Sequence, residues 1–279
     1  MGGRSDPKGV GLSLPLLLLA SGALAQVAPN SAALYLHPTD VSDARALWVN
    51  PAGLGHFPEA SVHLDLTVGD PGAKGRLRQL TLGLNSRGLS LGYQRDLFSS
   101  GRRGHTYRLG YAAGRAGLAA GFATVLYRGG TSSTGWDMGI VYDWMPAVSV
   151  GGVIQNIGRP VVRDSTLRIT YVPSATLQLA GRRVVLSALS RLTSDGVAGY
   201  AFGLRGTLRA GTSLPIGLLA RLDTDRSLHR SGLAFGFSLG GEDTAGLVAM
   251  TPGDAHGIDA LSLYGVSTRR FTSARRSAR

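Results

Sequence analysis

Two Gly-x-Ser-x-Gly runs, Gly88-Leu89-Ser90-Leu91-Gly92 and Gly236-Phe237-Ser238-Leu239-Gly240, have the spacing of a nucleophile elbow. An elbow needs a sharp strand-to-helix turn that exposes the serine. Both serines sit in alternating strand sequence with no helix behind them. A membrane-embedded serine esterase, completed by His63 and Asp65 or by His105, is therefore the weakest expectation, although triads are defined by geometry and not by order. The six His residues show neither H-x-x-x-H nor H-E-x-x-H spacing, so no metal site is expected. Only two of the 17 acids are Glu, which disfavours a paired-glutamate acid/base site. There is no P-loop and no Gly-x-Gly-x-x-Gly opening a helix, so no cofactor is expected. The absence of Cys excludes a disulfide scaffold, a zinc finger and a thiol nucleophile together.

A second set of candidates is charged. Asp65, Arg108, Asp137, Asp143, Arg205, Arg209 and Arg221 lie in register opposite the apolar stripes described next, on what is expected to be an inner face. Such charges either tune solute selectivity, as in a channel lumen, or pair and hold a plug in place. Pairing is the favoured expectation.

The elements that must carry these residues have period two. Val62, Leu64, Leu66 and Val68 share one face, and His63, Asp65 and Thr67 the other. The pattern recurs at Leu80/Leu82/Leu84, Leu89/Leu91/Tyr93, Tyr107/Leu109/Tyr111 and onward to Leu261/Leu263, with the Leu167/Ile169/Tyr171 stripe among them. Turn clusters such as Asn85-Ser86-Arg87-Gly88 and Pro252-Gly253-Asp254 separate the stripes. We expect an all-β, antiparallel transmembrane barrel of about 14 strands (12–14), apolar outside and polar inside. Pro173 marks a bulge in one strand. Trp136, Tyr142 and Trp144 share an outward face. Trp136 and Trp144, eight residues apart, span about 20 Å of height once a ~40° tilt is applied, close to the ~25 Å lipid band with its aromatic girdles. Gly83, Gly92, Gly110, Gly121, Gly139, Gly151, Gly203 and Gly236 fall on the inner face. They imply either a close approach by something packed inside or kinks that close the sheet.

Composition agrees with a folded, exported chain. Of 279 residues 41 are Gly, and 43% are hydrophobic, too many for disorder. The net charge of +12 is concentrated at the ends, with Arg269, Arg270, Arg275, Arg276 and Arg279 unaccompanied by acids. That argues against a nucleic-acid-binding surface. Arg4 and Lys8, the apolar run Val10 to Ala20 and Ala23-Leu24-Ala25 form the three-part pattern of a signal peptide cleaved after Ala25. The apolar run is about half the ~20 residues a membrane helix needs. The expected organisation is a signal peptide over 1–25, an N-terminal segment over 26–59, a barrel over 60–268 and a basic tail over 269–279. Phe271 is a candidate terminal aromatic of the barrel.

Asp40 to Val49 reads as a short helix capped by Asp40 or Ser42, ended by Asn50-Pro51. The run Ala44-Arg45-Ala46-Leu47-Trp48-Val49-Asn50-Pro51-Ala52-Gly53-Leu54 resembles the N-terminal signature of FadL-like outer-membrane barrels, a group that includes PorV. Val148 to Gly158, with Gln155-Asn156-Ile157-Gly158 at its end, is similar to that group's mid-barrel strand. The resemblance implies a 14-stranded barrel whose N-terminal hatch, carrying Trp48, Asn50, Pro51, Ala52 and Gly53, folds into the lumen. FadL itself carries long-chain fatty acids, but the inner face here is small and polar, and no loop is long enough for a ligand-capturing surface domain. Trp136-Asp137-Met138-Gly139 and Leu219-Ala220-Arg221-Leu222-Asp223 are similar to barrels that precede SppA-type signal-peptide-peptidase domains. The expected function is non-catalytic: a hatch-plugged, porin-like transporter for hydrophobic or small solutes, or an anchor for a periplasmic or secretion-system protein. The alternatives are a barrel module of a signal-peptide peptidase and the serine esterase. The expected location is the bacterial outer membrane, with membrane lipid as partner and the oligomeric state left open.

Overall fold

The computed structural model describes residues 29–57, 59–71, 75–98, 103–129, 131–162, 165–210, 214–253 and 257–271. The signal peptide and the tail arginines Arg275, Arg276 and Arg279 lie outside them. Two one-turn helices, α1 (Ala32–Tyr35) and α2 (Ala46–Val49), and a 3-10 turn (Pro51–Gly55) precede the strands. The strands are β1 (Glu59–Gly69), β2 (Arg76–Ser86), β3 (Leu89–Leu97), β4 (Arg103–Arg115), β5 (Leu118–Gly129), β6 (Thr131–Met145), β7 (Val148–Ile157), β8 (Val161–Val162), β9 (Ser165–Thr166), β10 (Thr170–Leu179), β11 (Val184–Thr193), β12 (Gly196–Ala210), β13 (Leu214–Asp225), β14 (Arg230–Gly240), β15 (Asp243–Pro252) and β16 (Ala260–Arg270).

Fourteen of these strands form one closed barrel of antiparallel neighbours, and β8 and β9 make a separate small hairpin. β16 closes on β1 with Glu59 opposite Arg270 and Leu66 opposite Leu263. Closure leaves no sheet edge, which a strand-built protein in lipid requires. No helix among the described residues is long and apolar enough to cross a membrane.

Burial follows the expected register. Leu64, Leu82, Leu91 and Leu109 are 42–55% exposed on the outside, whereas His63, Asp65 and Thr81 are at most 1% exposed on the inside. Trp136, Tyr142 and Trp144 all project outward from β6. The end that carries the first residue of β1 and the last of β16 has connections of two to four residues, such as 87–88 and 180–183. The opposite end carries the longer ones, 70–75, 158–169 and 253–259. In bacterial barrels the short turns face the periplasm, which sets the orientation used below.

The structure departs from the sequence-based expectation at several places. The helix expected over 40–49 is a single turn from Ala46, because the Asp43 carboxylate accepts the Arg45 backbone N–H at 2.9 Å and starts the turn there. Residues 37–40 form a separate turn, with the Asp40 N–H donating to the His37 carbonyl. Helix α1 carries no periodic signal in four residues and was not foreseen. The strand expected at Leu167 begins only at Thr170, since Val162 and Leu167 instead pack against Val125 and Tyr127. Pro173 makes no bulge: the β10–β11 register is the same at Tyr171↔Leu192 and Ser174↔Leu189, and the ladder is only interrupted between them, as a residue without an N–H demands. Arg269 and Arg270 belong to β16 and not to the tail, because they pair with Ala60 and Glu59. Phe271 lies under the Arg87 guanidinium at 4.6 Å.

The inner glycines divide between the two expected causes. A β-carbon at Gly92 would meet Leu47 and Trp48, and at Gly121 it would meet the Pro51 carbonyl; Gly83, Gly110, Gly139 and Gly203 likewise face residues 37–50. Gly151 and Gly236 instead meet the backbone of the adjacent strand. Most of the row is the footprint of the N-terminal segment on the wall.

Candidate functional site

Residues 29–57 lie inside the barrel, and Ala44, Ala46, Leu47, Trp48, Asn50, Ala52 and Leu54 are at most 2% exposed. The segment starts in the extracellular half. There the Asn30 amide donates to Thr81 and Gln94, and Gln79 accepts the Ser31 N–H at 2.9 Å. It leaves at the periplasmic end, where His56 Nε2 lies 3.3 Å from Asp143. Along this path Asn50 donates to the Pro38 carbonyl at 3.0 Å and accepts the Ala52 N–H, so the Asn-Pro turn folds on itself. Pro51, Ala52 and Gly53 form the buried 3-10 turn that follows.

The wall grips this segment with charge. Arg108 donates to Asp137 at 2.6 Å and to the Leu47 carbonyl at 2.9 Å, and its guanidinium lies 5.2 Å from the Trp48 ring. Arg221, 2% exposed, donates to the carbonyls of Ala33 and Leu36 and forks onto Asp223, which also pairs with Arg191. Arg205 donates to Asp40 at 2.7 Å. Two of these arginines satisfy carbonyls of the one-turn helices, groups that such short helices leave without partners. Asp143 accepts from Ser149 at 2.6 Å. Arg209 lies on β12, but its side chain is outside the described residues.

The closing seam is pinned from inside as well. Tyr35 stacks on Tyr264 at 5.6 Å, and Arg45 lies 5.1 Å from the same ring. Asp65 of β1 accepts from Ser262 of β16 at 2.7 Å. Burial alone would raise the Asp43 carboxyl, but the Arg45 guanidinium, bonded to both its oxygens, holds it below the usual carboxylate range. Asp40 goes the other way: burial outweighs Arg205 and raises it. His37, 3% exposed against Gly203, has two ring nitrogens without a partner among the described residues. Burial, and next the Arg221 charge, push its pKa down to about 3.

The segment separates two cavities of opposite character. The extracellular one, about 570 Å³, is lined by Leu36, Val49, Val172, Leu189, Ala234 and Met250, with Arg191 and Asp223 to one side. The periplasmic one, about 290 Å³, is lined by Asp40, Asp43, Arg45, His56, Arg205 and Arg270. Leu36 and Pro38 face the first, Thr39 and Asp40 the second.

Among the expected charges whose side chains are described, only Arg108 and Asp137 pair with each other; Asp40 and Asp223 supply the other acids. Both were missed as site residues, although Arg221-Leu222-Asp223 has the two-residue spacing that puts both charges on one face. Gln79, Gln94 and Arg191 were also missed, and a single polar residue on an inner strand face carries no signal of what will face it. Ser90 donates to the Leu84 carbonyl at 2.6 Å within the wall, and His63 is bonded to neither serine.

No family model and no curated protein matches the chain. Solved structures do. The chain is similar to the CymD monoaromatic hydrocarbon channel (TM-score 0.51, 11% identity, 85% of this chain and 95% of that one). It is similar in the same degree to the Ralstonia pickettii toluene transporter TbuX (0.51, 11%, 86% and 99%). The TodX monoaromatic hydrocarbon channel, in a deltaS2 mutant, matches at 0.51 and 10% identity over 86% and 98%. At this identity the likeness establishes the barrel fold alone.

Proposed function

We propose that the protein is an outer-membrane channel for small apolar solutes, with residues 29–57 acting as its hatch. The apolar extracellular cavity, floored by Leu36, Pro38 and Val49 of that segment, carries the proposal. Burying apolar solute surface there is favourable by roughly 25 cal/mol per Å². A volume of about 570 Å³ falls within the ~300–1,000 Å³ of small-molecule sites, so a monoaromatic hydrocarbon fits. The polar cavity below the segment offers such a solute little, so release follows once the segment moves. Export through a leader cleaved after Ala25 belongs to the same reading, because it leaves three residues before Pro29, which already borders the cavity.

Vesicles containing the purified protein should take up a labelled monoaromatic hydrocarbon faster than empty vesicles and should exclude an oligosaccharide. Equal uptake by empty vesicles, also with residues 34–56 deleted, overturns the proposal. The close packing of the segment favours one competing function, an anchor for a periplasmic partner. That function predicts no uptake and recovery of a bound protein in mild detergent.

A further inference from the structure

The outer wall carries a feature that solute passage does not use. A groove of about 490 Å³ on β2–β5 is lined by Leu82, Leu84, Leu91 and Leu109 and bordered by Tyr93 and Tyr107. All six side chains project outward into the space that acyl chains fill. Two residues nearer the extracellular end, Arg95 of β3 stands directly opposite His105 of β4, and His105 directly opposite Arg128 of β5. Ser132 of β6 continues the row, and Arg103 follows two residues beyond His105. Alternation fixes their direction: Gln94, Asp96, Thr106 and Tyr127, next to them in sequence, are buried on the luminal side.

The row is cationic and, among the described residues, lacks counterions. Among the described residues none of Arg95, Arg103 and Arg128 takes part in an ion pair, whereas Arg76 and Arg78 nearby are matched by Asp70 and Asp259. Asp96 faces inward, where it accepts from Gln79 and Gln94. The Tyr93 hydroxyl lies 2.9 Å from His105 Nδ1, with the two rings stacked at 5.9 Å. That contact fixes the row about 7 Å along the strand from the tyrosines, or about 5 Å of height at a ~40° tilt, where an aromatic girdle gives way to head groups.

We propose that Arg95, His105 and Arg128, with the leucine groove beneath them, form a binding site for a phosphorylated lipid of the outer leaflet. Guanidinium groups take the head-group phosphates, for which their planar fork is suited. The groove holds one of the lipid's acyl chains. A soluble anion satisfies only the first half of the site and an uncharged lipid only the second.

The site is tested with full-length protein in nanodiscs, using lipopolysaccharide as the probe and native mass spectrometry as the readout. The wild type should retain lipopolysaccharide in preference to its enzymatically dephosphorylated form. Arg95→Gln with Arg128→Gln keeps both aliphatic stems and should bind about 30-fold more weakly, as expected for two cationic groups removed from an anionic lipid surface. Arg115→Gln with Arg183→Gln, both exposed at the periplasmic turns, should leave binding unchanged. Heat-modified gel mobility verifies that each variant is a folded barrel. Equal retention of the dephosphorylated lipid, equal binding by the Arg95/Arg128 variant, or displacement of the lipid by millimolar inorganic phosphate would each overturn the proposal.

Discussion

The carboxamide of Asn50 occupies the space over Gly139 that a β-carbon would take. One residue of the N-terminal segment thereby sets the size of a residue in the middle of β6, 89 positions later in sequence. The same carboxamide donates to the carbonyls of Pro38 and Ile140, so the segment is tied to the wall where it touches it most closely.

Gly139→Ala should therefore unseat the Asn-Pro turn, since the methyl group cannot be accommodated without moving Asn50. The expected loss is about 1–3 kcal/mol, the usual range for overpacking. Gly206→Ala is the control, because a β-carbon there meets nothing within 4 Å, and it should stay within about 0.5 kcal/mol of wild type. Urea unfolding in detergent, with limited proteolysis of residues 29–57, reads both.

The outward face was legible in the sequence because lipid imposes it residue by residue: Leu64, Leu82 and Leu109 had to alternate with small or polar partners. The inner glycines were visible too, but not what they face, since Gly92 meets Leu47 and Trp48 only after the segment has entered the closed barrel. Partners of the luminal arginines were hidden for the same reason. Arg205 pairs with Asp40 and Arg221 with the Leu36 carbonyl, contacts between positions 165 and 185 apart that no local pattern encodes. Elements of four residues, such as α1, are too short for any period to show.

Arg221→Ala should free the start of the segment. It removes the donor to the carbonyls of Ala33 and Leu36 and leaves Asp223 to Arg191 alone. Truncating one partner of a buried charge pair costs about 3–5 kcal/mol. Arg221→Lys keeps the charge but loses the fork, and should fall between the two. In planar bilayers the alanine variant is expected to show larger and noisier ion conductance than wild type, and the lysine variant a smaller increase.

Acid should loosen the segment through His37. Its folded pKa, about 3, lies below the ordinary 6.5, so the seated state disfavours the protonated ring. Seating is at full strength above pH 6.5 and weakens as pH falls toward 3, by about 2 kcal/mol at pH 5. Burial is the main cause, followed by Arg221; Arg191 and Arg205 act in the same direction and Asp223 opposes them. His37→Leu removes an unpartnered polar ring from a buried place, so it should unfold no more easily than wild type at pH 7.5. It should also lose much of the difference in protease sensitivity between pH 7.5 and pH 5. An unchanged pH profile in this variant would show that other groups control the seating.

Motion of the segment can be tested directly, because the chain has no cysteine of its own. The hydroxyls of Thr39 and Thr176 are 2.8 Å apart, joining the segment to β10 at the level where the apolar cavity ends and the polar one begins. Thr39→Cys with Thr176→Cys should form a disulfide on mild oxidation, and the single substitutions serve as controls. If the segment is a hatch, the oxidised protein keeps its thermal stability, loses hydrocarbon uptake and regains it on reduction. Uptake that is identical in the oxidised and reduced forms would mean that solutes pass without displacing Thr39, and the hatch function would have to be given up while the channel remained.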